Sequence, residues 1–339
     1  MNKVILYMKL LRAWGLIAEI ILKTIDTLWS KSEGRKYYKA LSLLPFKLME
    51  MKGSEIRSNG FKIDNLSNYD SQFLITELNK NIEEIKNLES VRKFQKSVVK
   101  NDVSLNIINN LTDENKLALL EFSISPEVVK IIVNYLGFLP RLAGIFLQYN
   151  PYRQYLPAAG SQRFHRDSDI FKSINIFLYL HTTNSSNGRI SFYSLKDVSK
   201  YIAVRPNQKK YNLIPDLWDK FRVDADDIRD SFPSAKCYDF DGYAGDFLYL
   251  DPVNLYHKGG YCPESERFLV QISYYTEEMP KRAYMKNVIK QLQINPENHK
   301  LKELLSCPYK RFMLSGFQNY KSTKLPFLPN LKSKILGYK

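Results

Sequence analysis

A mainly β chain with flanking helices, its core a sandwich or jelly roll, is what this sequence predicts. From Ala143 to Tyr275 short apolar runs rich in Ile, Leu, Phe and Tyr alternate with Gly, Pro and Asn turns, the texture of successive strands. The stretch before Gly137 is helical in its spacing instead. A composition of 44% hydrophobic and 13% aromatic residues suffices for a sizeable core and excludes a disordered chain. For 339 residues we expect one main domain over 51–280, with a helical segment 1–50 before it and a basic extension 281–339 after it.

The chain opens with Val4-Ile5-Leu6-Tyr7-Met8 and further apolar residues, broken at helical spacing by Lys9, Arg12, Glu19, Lys23 and Asp26. No uncharged run there is long enough to cross a bilayer, so the segment reads as an amphipathic helix. Its apolar face, with Trp14 and Trp29, either covers the core or lies on a membrane surface. Next, Gly60 to Ser67 alternates apolar and polar residues and reads as a short strand. A helix from Ser71 to about Asn87, a charged linker, and more helix from about Asp113 to Leu136 follow, ended by the Gly137-Phe138-Leu139-Pro140 turn.

The expected strands are Gly144–Tyr149, Ile174–Leu180, Arg189–Tyr193, Gly245–Leu250 and Phe268–Tyr275. Between Val198 and Lys236 lies an insertion containing Asp216, Asp219, Asp224, Asp226, Asp227 and Asp230, expected to be a rim lid or a solvated acidic helix. The sequence holds no internal repeat and no glycine-rich phosphate loop. Cys237, Cys262 and Cys307 form an odd set without CxxC spacing, which excludes a zinc ribbon and fits a reducing, cytoplasmic setting with each thiol buried as a small apolar residue.

The candidate chemistry sits in Ser161-Gln162-Arg163-Phe164-His165-Arg166-Asp167, just before the Ile174 strand. On an extended chain one intervening residue returns the next side chain to the same face, so His165 and Asp167 can reach one metal ion together. The natural third ligand is His257, 90 residues after Asp167, following the Gly245–Leu250 strand. Two histidines and one carboxylate with open positions opposite are the ligand set of non-haem Fe(II) oxygenases. Ten residues beyond His257, Arg267 opens the last strand, where its guanidinium could hold a carboxylate by two prongs.

Gln162-x-x-His165-x-Asp167, the Asn187-Gly188 turn, Gly245-Asp246, His257-Lys258-Gly259-Gly260 and Arg267 together resemble the phytanoyl-CoA dioxygenase family of Fe(II)/2-oxoglutarate oxygenases. The likeness spans about residues 55–278. It implies a double-stranded β-helix core of the cupin-like kind, and iron held by His165, Asp167 and His257. It also implies 2-oxoglutarate chelating that iron, with its distal carboxylate on Arg267 and with Gln162 and Asn175 in the cosubstrate pocket. O2 would then oxidise an unactivated C–H bond, with release of succinate and CO2. Three departures stand out. Ser191-Phe192-Tyr193-Ser194 replaces the Gly-Ser-His ending of many relatives, and Gly259 stands where they often carry a hydroxyl. Asn175 replaces a Lys of the nearest-looking branch and should share a strand face with Phe177 and Tyr179, toward the barrel interior; a structural hydrogen bond is the alternative role.

The formal net charge of +15 is concentrated at the ends. Residues 1–50 carry nine basic against four acidic side chains and 281–339 thirteen against two, which leaves 51–280 at −1. Basic residues interleaved with Phe312, Phe317, Tyr320 and Phe327 suit peripheral contact with an anionic membrane, and suit nucleic acid less well because the N-terminal helix adds a second membrane signal. The substrate expected is a small molecule or a lipid- or carrier-linked group. Two other classes remain, a non-catalytic β-barrel binding module and a cupin-like metal enzyme that does not use 2-oxoglutarate.

Overall fold

The computed structural model describes residues 55–96, 103–137, 139–153, 157–167, 173–194, 222, 225–231, 233–275 and 288–314. The expected N-terminal amphipathic helix, most of the acidic insertion and the basic residues beyond 314 lie outside the described residues.

Two antiparallel sheets face each other. The larger has strands β1 (Phe61–Asn65), β7 (Asp246–Leu250), β4 (Ser173–Tyr179), β9 (Arg267–Tyr275), β3 (Arg141–Asn150) and β2 (Leu105–Asn106), in that spatial order. The smaller has β6 (Cys237–Phe240), β5 (Ile190–Tyr193) and β8 (His257–Lys258). Every pairing is antiparallel, as in a jelly roll. Strand β4 lies between β7 and β9 and is buried on both faces, which explains why Ser173-Ile174-Asn175-Ile176-Phe177-Leu178-Tyr179 reads as a nearly continuous apolar run.

The alternation of β4 divides the core. Ile174, Ile176 and Leu178, with Val270, Ile272 and Tyr274 of β9, join an outer cluster under the helices. Phe177 and Tyr179, with Leu248, Leu250 and Leu269, join an inner cluster with Ile190, Phe192 and Phe240 of the small sheet. Removing one buried side chain of this size costs about 2–5 kcal/mol, so the two clusters fix which way every strand faces.

The covering helices are α2 (Phe73–Lys86), α4 (Asp113–Ser123) and α5 (Pro126–Leu136), after a short α1 (Glu55–Asn59). The single helical stretch expected over 113–136 is two helices, because Pro126 starts a new one: Thr112 caps α4, Ser125 caps α5, and Gly137 ends α5 with φ 80°. The charged linker after Asn87 is instead a helix, α3 (Glu89–Lys96), anchored by buried Val91 and by Phe94 one turn on.

Residues 288–314, within the expected basic C-terminal extension, form α7 (Val288–Leu292), α8 (His299–Ser306) and α9 (Pro308–Leu314), which pack into the outer cluster through Val288, Leu292, Leu301, Met313 and Leu314. Phe312 is 5% exposed, with the Arg141 guanidinium 3.5 Å from its ring centre, so its face is spent inside the fold. The short strands β2, β6 and β8 were not expected. For β6 a signal existed, since Cys237-Tyr238-Asp239-Phe240 alternates, with Tyr238 and Phe240 turned inward. Cys237 therefore faces outward and is exposed, not the buried apolar residue expected, whereas Cys262 is buried. Within the acidic insertion, α6 (Ala225–Ser231) is a short helix held by Ile228, which is 2% exposed. No helix among the described residues is long and apolar enough to cross a membrane.

Candidate metal centre

His165 and Asp167 lie on the connection between β3 and β4, and His257 begins β8. The amide of His165 donates to the carbonyl of His257 at 3.0 Å, and the reverse bond measures 2.9 Å. A doubly bonded antiparallel pair turns both side chains to the same side of the strands, which sets the two imidazoles 4.3 Å apart by ring centre. Asp167 is tied in by its own amide, which donates to the carbonyl of Pro252 at 2.8 Å.

Each imidazole uses Nδ1 to donate to a carbonyl two residues before it, His165 to Arg163 at 2.9 Å and His257 to Leu255 at 3.1 Å. A carbonyl only accepts, so the proton sits on Nδ1 and Nε2 keeps its lone pair for a metal. The Asp167 Oδ1 atom is 3.7 Å from Nε2 of His165 and 3.9 Å from Nε2 of His257. All three ligand atoms lie within 4.8 Å of one another, near enough to share one ion bound at about 2.0–2.2 Å. Burial lowers both imidazoles to about 4, and for His165 the neighbouring His257 adds to the effect. Both rings are therefore neutral at pH 7, the form a metal needs.

The turn that delivers His257 is braced by residues the sequence reading passed over. Asp251, fully buried, accepts the amides of Val253 at 3.0 Å and Asn254 at 2.9 Å, the Asn254 side chain at 2.6 Å, and the Tyr135 hydroxyl from α5. Arg166 donates Nε to the carbonyl of Val253 at 2.6 Å, so the residue between the two first ligands clamps the loop that carries the third. The signal was present in Asp251-Pro252-Val253-Asn254, where a carboxylate followed by Pro and Asn favours a side-chain-capped turn.

Arg267 is 2% exposed and faces inward at the start of β9. Its Nη2 donates to Asn150 Oδ1 at 2.8 Å, Nε reaches the same oxygen at 3.2 Å, and Nη1 donates to the carbonyl of Gly188. Among the described residues no carboxylate pairs with it, which leaves a buried cation held only by neutral acceptors. The Asn187-Gly188 turn has a structural reason for its glycine: φ is +85°, and a Cβ there would lie 2.9 Å from Cys262 Sγ. Beside the guanidinium, a Cβ on Gly259 would stand 3.5 Å from Nη1, so its lack of a side chain keeps that space open.

No protein-family model matches the chain, and no curated protein matches it in sequence. Solved structures do. The non-heme alpha ketoglutarate dependent epimerase SnoN from nogalamycin biosynthesis is 12% identical, covers 68% of this chain and 80% of its own, and superposes with a TM-score of 0.43. The carbocyclase SnoK from the same biosynthesis is 13% identical over 68% of this chain and 87% of its own, TM-score 0.43. EctD from S. alaskensis, solved with 2-oxoglutarate and 5-hydroxyectoine, is 12% identical over 68% and 77%, TM-score 0.42. All three are distant likenesses.

Of the other expected site residues, Gln162 is buried with both ends of its amide in use: Nε2 donates to the carbonyl of Gly260 at 2.9 Å and Oε1 accepts the amide of Ala159 at 3.0 Å. It ties the loop before His165 to the loop after His257. Asn175 faces the interior with Phe177 and Tyr179, as its place in the alternation predicted. A cleft of about 550 Å³ lies over the small sheet, lined by Ser191, Tyr193, Asp239 and Lys258, bounded by α6, and reaching Gln162, Gly188 and Gly259. Lys258 follows His257 and so points away from the metal ligands.

Proposed function

We propose that the chain is an Fe(II)- and 2-oxoglutarate-dependent oxygenase of the phytanoyl-CoA dioxygenase type, acting as a hydroxylase on an unactivated C–H bond. The observation that carries this reading is the pairing of three convergent ligand atoms with a buried guanidinium that has no carboxylate partner among the described residues. Two neutral imidazoles and one carboxylate fit a divalent iron and leave positions for a chelating cosubstrate. A buried cation without a counter-charge is costly, and an anion that arrives with the cosubstrate repays that cost.

In this reading His165, His257 and Asp167 would hold the metal through Nε2, Nε2 and a carboxylate oxygen. Arg267 receives the distal carboxylate beside the gap left by Gly259, while Asn150 and the Gly188 carbonyl keep its guanidinium oriented. Asp251 and Arg166 hold the His257 loop in register. A metal held there would, with O2 and 2-oxoglutarate, supply the oxidation, with one oxygen atom accounted for in succinate, the other in the substrate hydroxyl, and CO2 as the remaining product.

Anaerobic addition of Fe(II) and 2-oxoglutarate should produce a visible metal-to-cosubstrate charge-transfer band, and aerobic incubation should release succinate. His165→Ala, Asp167→Ala and His257→Ala should each abolish both signals while the protein stays folded. Succinate release at the unaltered rate in any of the three would sink the assignment. Metal binding without the band would favour a cupin-like metal enzyme, and no metal binding at all a binding module.

A further inference from the structure

Six residues along β9 from Arg267, the inner face of the large sheet carries a second set of polar groups that the cosubstrate does not account for. Asn175 of β4 is 3% exposed and Ser173 fully buried, yet neither Asn175 Oδ1 nor Ser173 Oγ has a hydrogen-bond partner among the described residues. Leaving such groups buried and unpaired is unfavourable, and among the described residues the Asn175 oxygen has no structural partner that would offset it. Across the sheet, Gln148 of β3 donates its Nε2 to Gln271 Oε1, and Gln271 donates its own Nε2 to Ser273 Oγ at 3.4 Å. Ser273 is the cross-strand neighbour of Asn175, so the relay ends beside the unpartnered amide.

These residues lie on the metal's side of the sheet, since Phe177 and Tyr179 share the face of Asn175 and belong to the inner cluster. They also border the strand end that leads to the metal ligands. Asn175 pairs with Leu250, two residues before Pro252, whose carbonyl receives the amide of Asp167. Arg267 borders the ligand set from the other side, its guanidinium pinned beside its cross-strand neighbour Asn150 and next to Gly259, two residues after His257. From Arg267 to Ser273 the strand runs roughly 20 Å at about 3.3 Å per residue. A five-carbon diacid anchored on Arg267 is far too short to reach Asn175 after meeting the metal.

We propose that Ser173, Asn175 and Ser273 bind the primary substrate rather than 2-oxoglutarate, and that they recognise an uncharged group which both donates and accepts a hydrogen bond, an alcohol hydroxyl or a carboxamide. Stretches 173–177, 271–275 and 144–148 hold no Lys, Arg, Asp or Glu, so nothing on this wall complements a charged headgroup or a phosphate. A bare hydrocarbon chain would leave the orphaned groups unpaired. The substrate class is therefore hydroxylated or amide-bearing and neutral at this end, not a fatty acyl chain. The assignment rests on the oxygenase reading for its account of the Arg267 end.

The test uses the full-length protein, wild type and Asn175→Leu, with neutral polyols and carboxamides (sorbitol, myo-inositol, methyl glucosides, glutamine amide derivatives) and, in parallel, straight-chain fatty acids. At low millimolar concentration, where general solvent exclusion by polyols is small, at least one polyol or carboxamide should raise the melting temperature of the wild type and stimulate its 2-oxoglutarate consumption. Asn175→Leu should weaken that compound's effect by roughly tenfold in concentration, one hydrogen bond's worth. Ser173→Ala serves where the leucine variant fails to fold, with the same expectation. Three results would overturn the proposal: stimulation by fatty acids alone, no response to any polyol or carboxamide, or a rise in the 2-oxoglutarate requirement of Asn175→Leu in place of the weakened polyol effect. The melting-temperature arm needs no turnover, so a wild type that makes no succinate but is stabilised in an Asn175-dependent way would sink the oxygenase reading and leave this subsite standing.

Discussion

At the scale of single residues, the centre depends on groups that never touch the metal. Asp251 is such a group, with four donors converging on one buried carboxylate and a loop hung from it. Asp251→Asn keeps the size but loses acceptor strength and adds a donor among donors. Metal affinity, read by Co(II) or Fe(II) titration, should fall roughly tenfold to hundredfold, as outlying partners of metal ligands usually behave; an unaltered affinity would show that Arg166 alone holds the loop. Arg267 is the second case. Arg267→Lys leaves a charge but not the fork that Asn150 and Gly188 orient, so the 2-oxoglutarate concentration for half-maximal succinate release should rise roughly tenfold or more. If it does not move, another basic residue anchors the cosubstrate.

Elements matter through which face they present. Strand β4 gives Ile174, Ile176 and Leu178 to the helices and Ser173, Asn175 and Phe177 to the space between the sheets. That separation permits a clean experiment. Ile176→Ala should cost about 2–5 kcal/mol of stability in chemical denaturation, because it opens a cavity in the outer cluster. Metal affinity should stay as it was, since Ile176 faces the outer cluster and not the space between the sheets. Loss of metal binding in a variant that remains folded would mean that the two layers are mechanically coupled. The strand itself was legible from its apolar run, whereas β8, two residues long, exists only because His257 meets His165 and Phe192 across the fold.

For the whole molecule, the uneven charge is the feature still without a structural role. The inner stretch of the basic tail is already engaged, with Phe312 under Arg141 and Arg311 donating Nε to the carbonyl of Leu305 at 2.7 Å. The cations that follow, from Lys321 to Lys339, and the amphipathic start of the chain remain the candidates for an anionic surface. We expect salt-sensitive co-sedimentation with anionic vesicles, weakened by removal of residues 1–30 without loss of succinate release. Failure to co-sediment at low salt, or unfolding of the shortened chain, would assign that segment to the core instead.

Periodicity and local chemistry were enough to reveal the β-rich core, the inward face of β4, the split of charge between centre and ends, and the candidacy of His165, Asp167, His257 and Arg267, because each of these is a property of neighbouring residues or of spacing along the chain. What lay beyond the sequence was everything that depends on meetings between distant segments. The hydrogen-bonded pair that aims two imidazoles at one point joins residues 92 apart in the chain. The cap on the His257 loop reaches from Tyr135 on a helix to Asp251. The isolation of the Arg267 charge and of the Asn175 amide among the described residues is an absence of partners, and an absence has no sequence pattern. It arises only when packing has removed water and decided which groups are left facing one another.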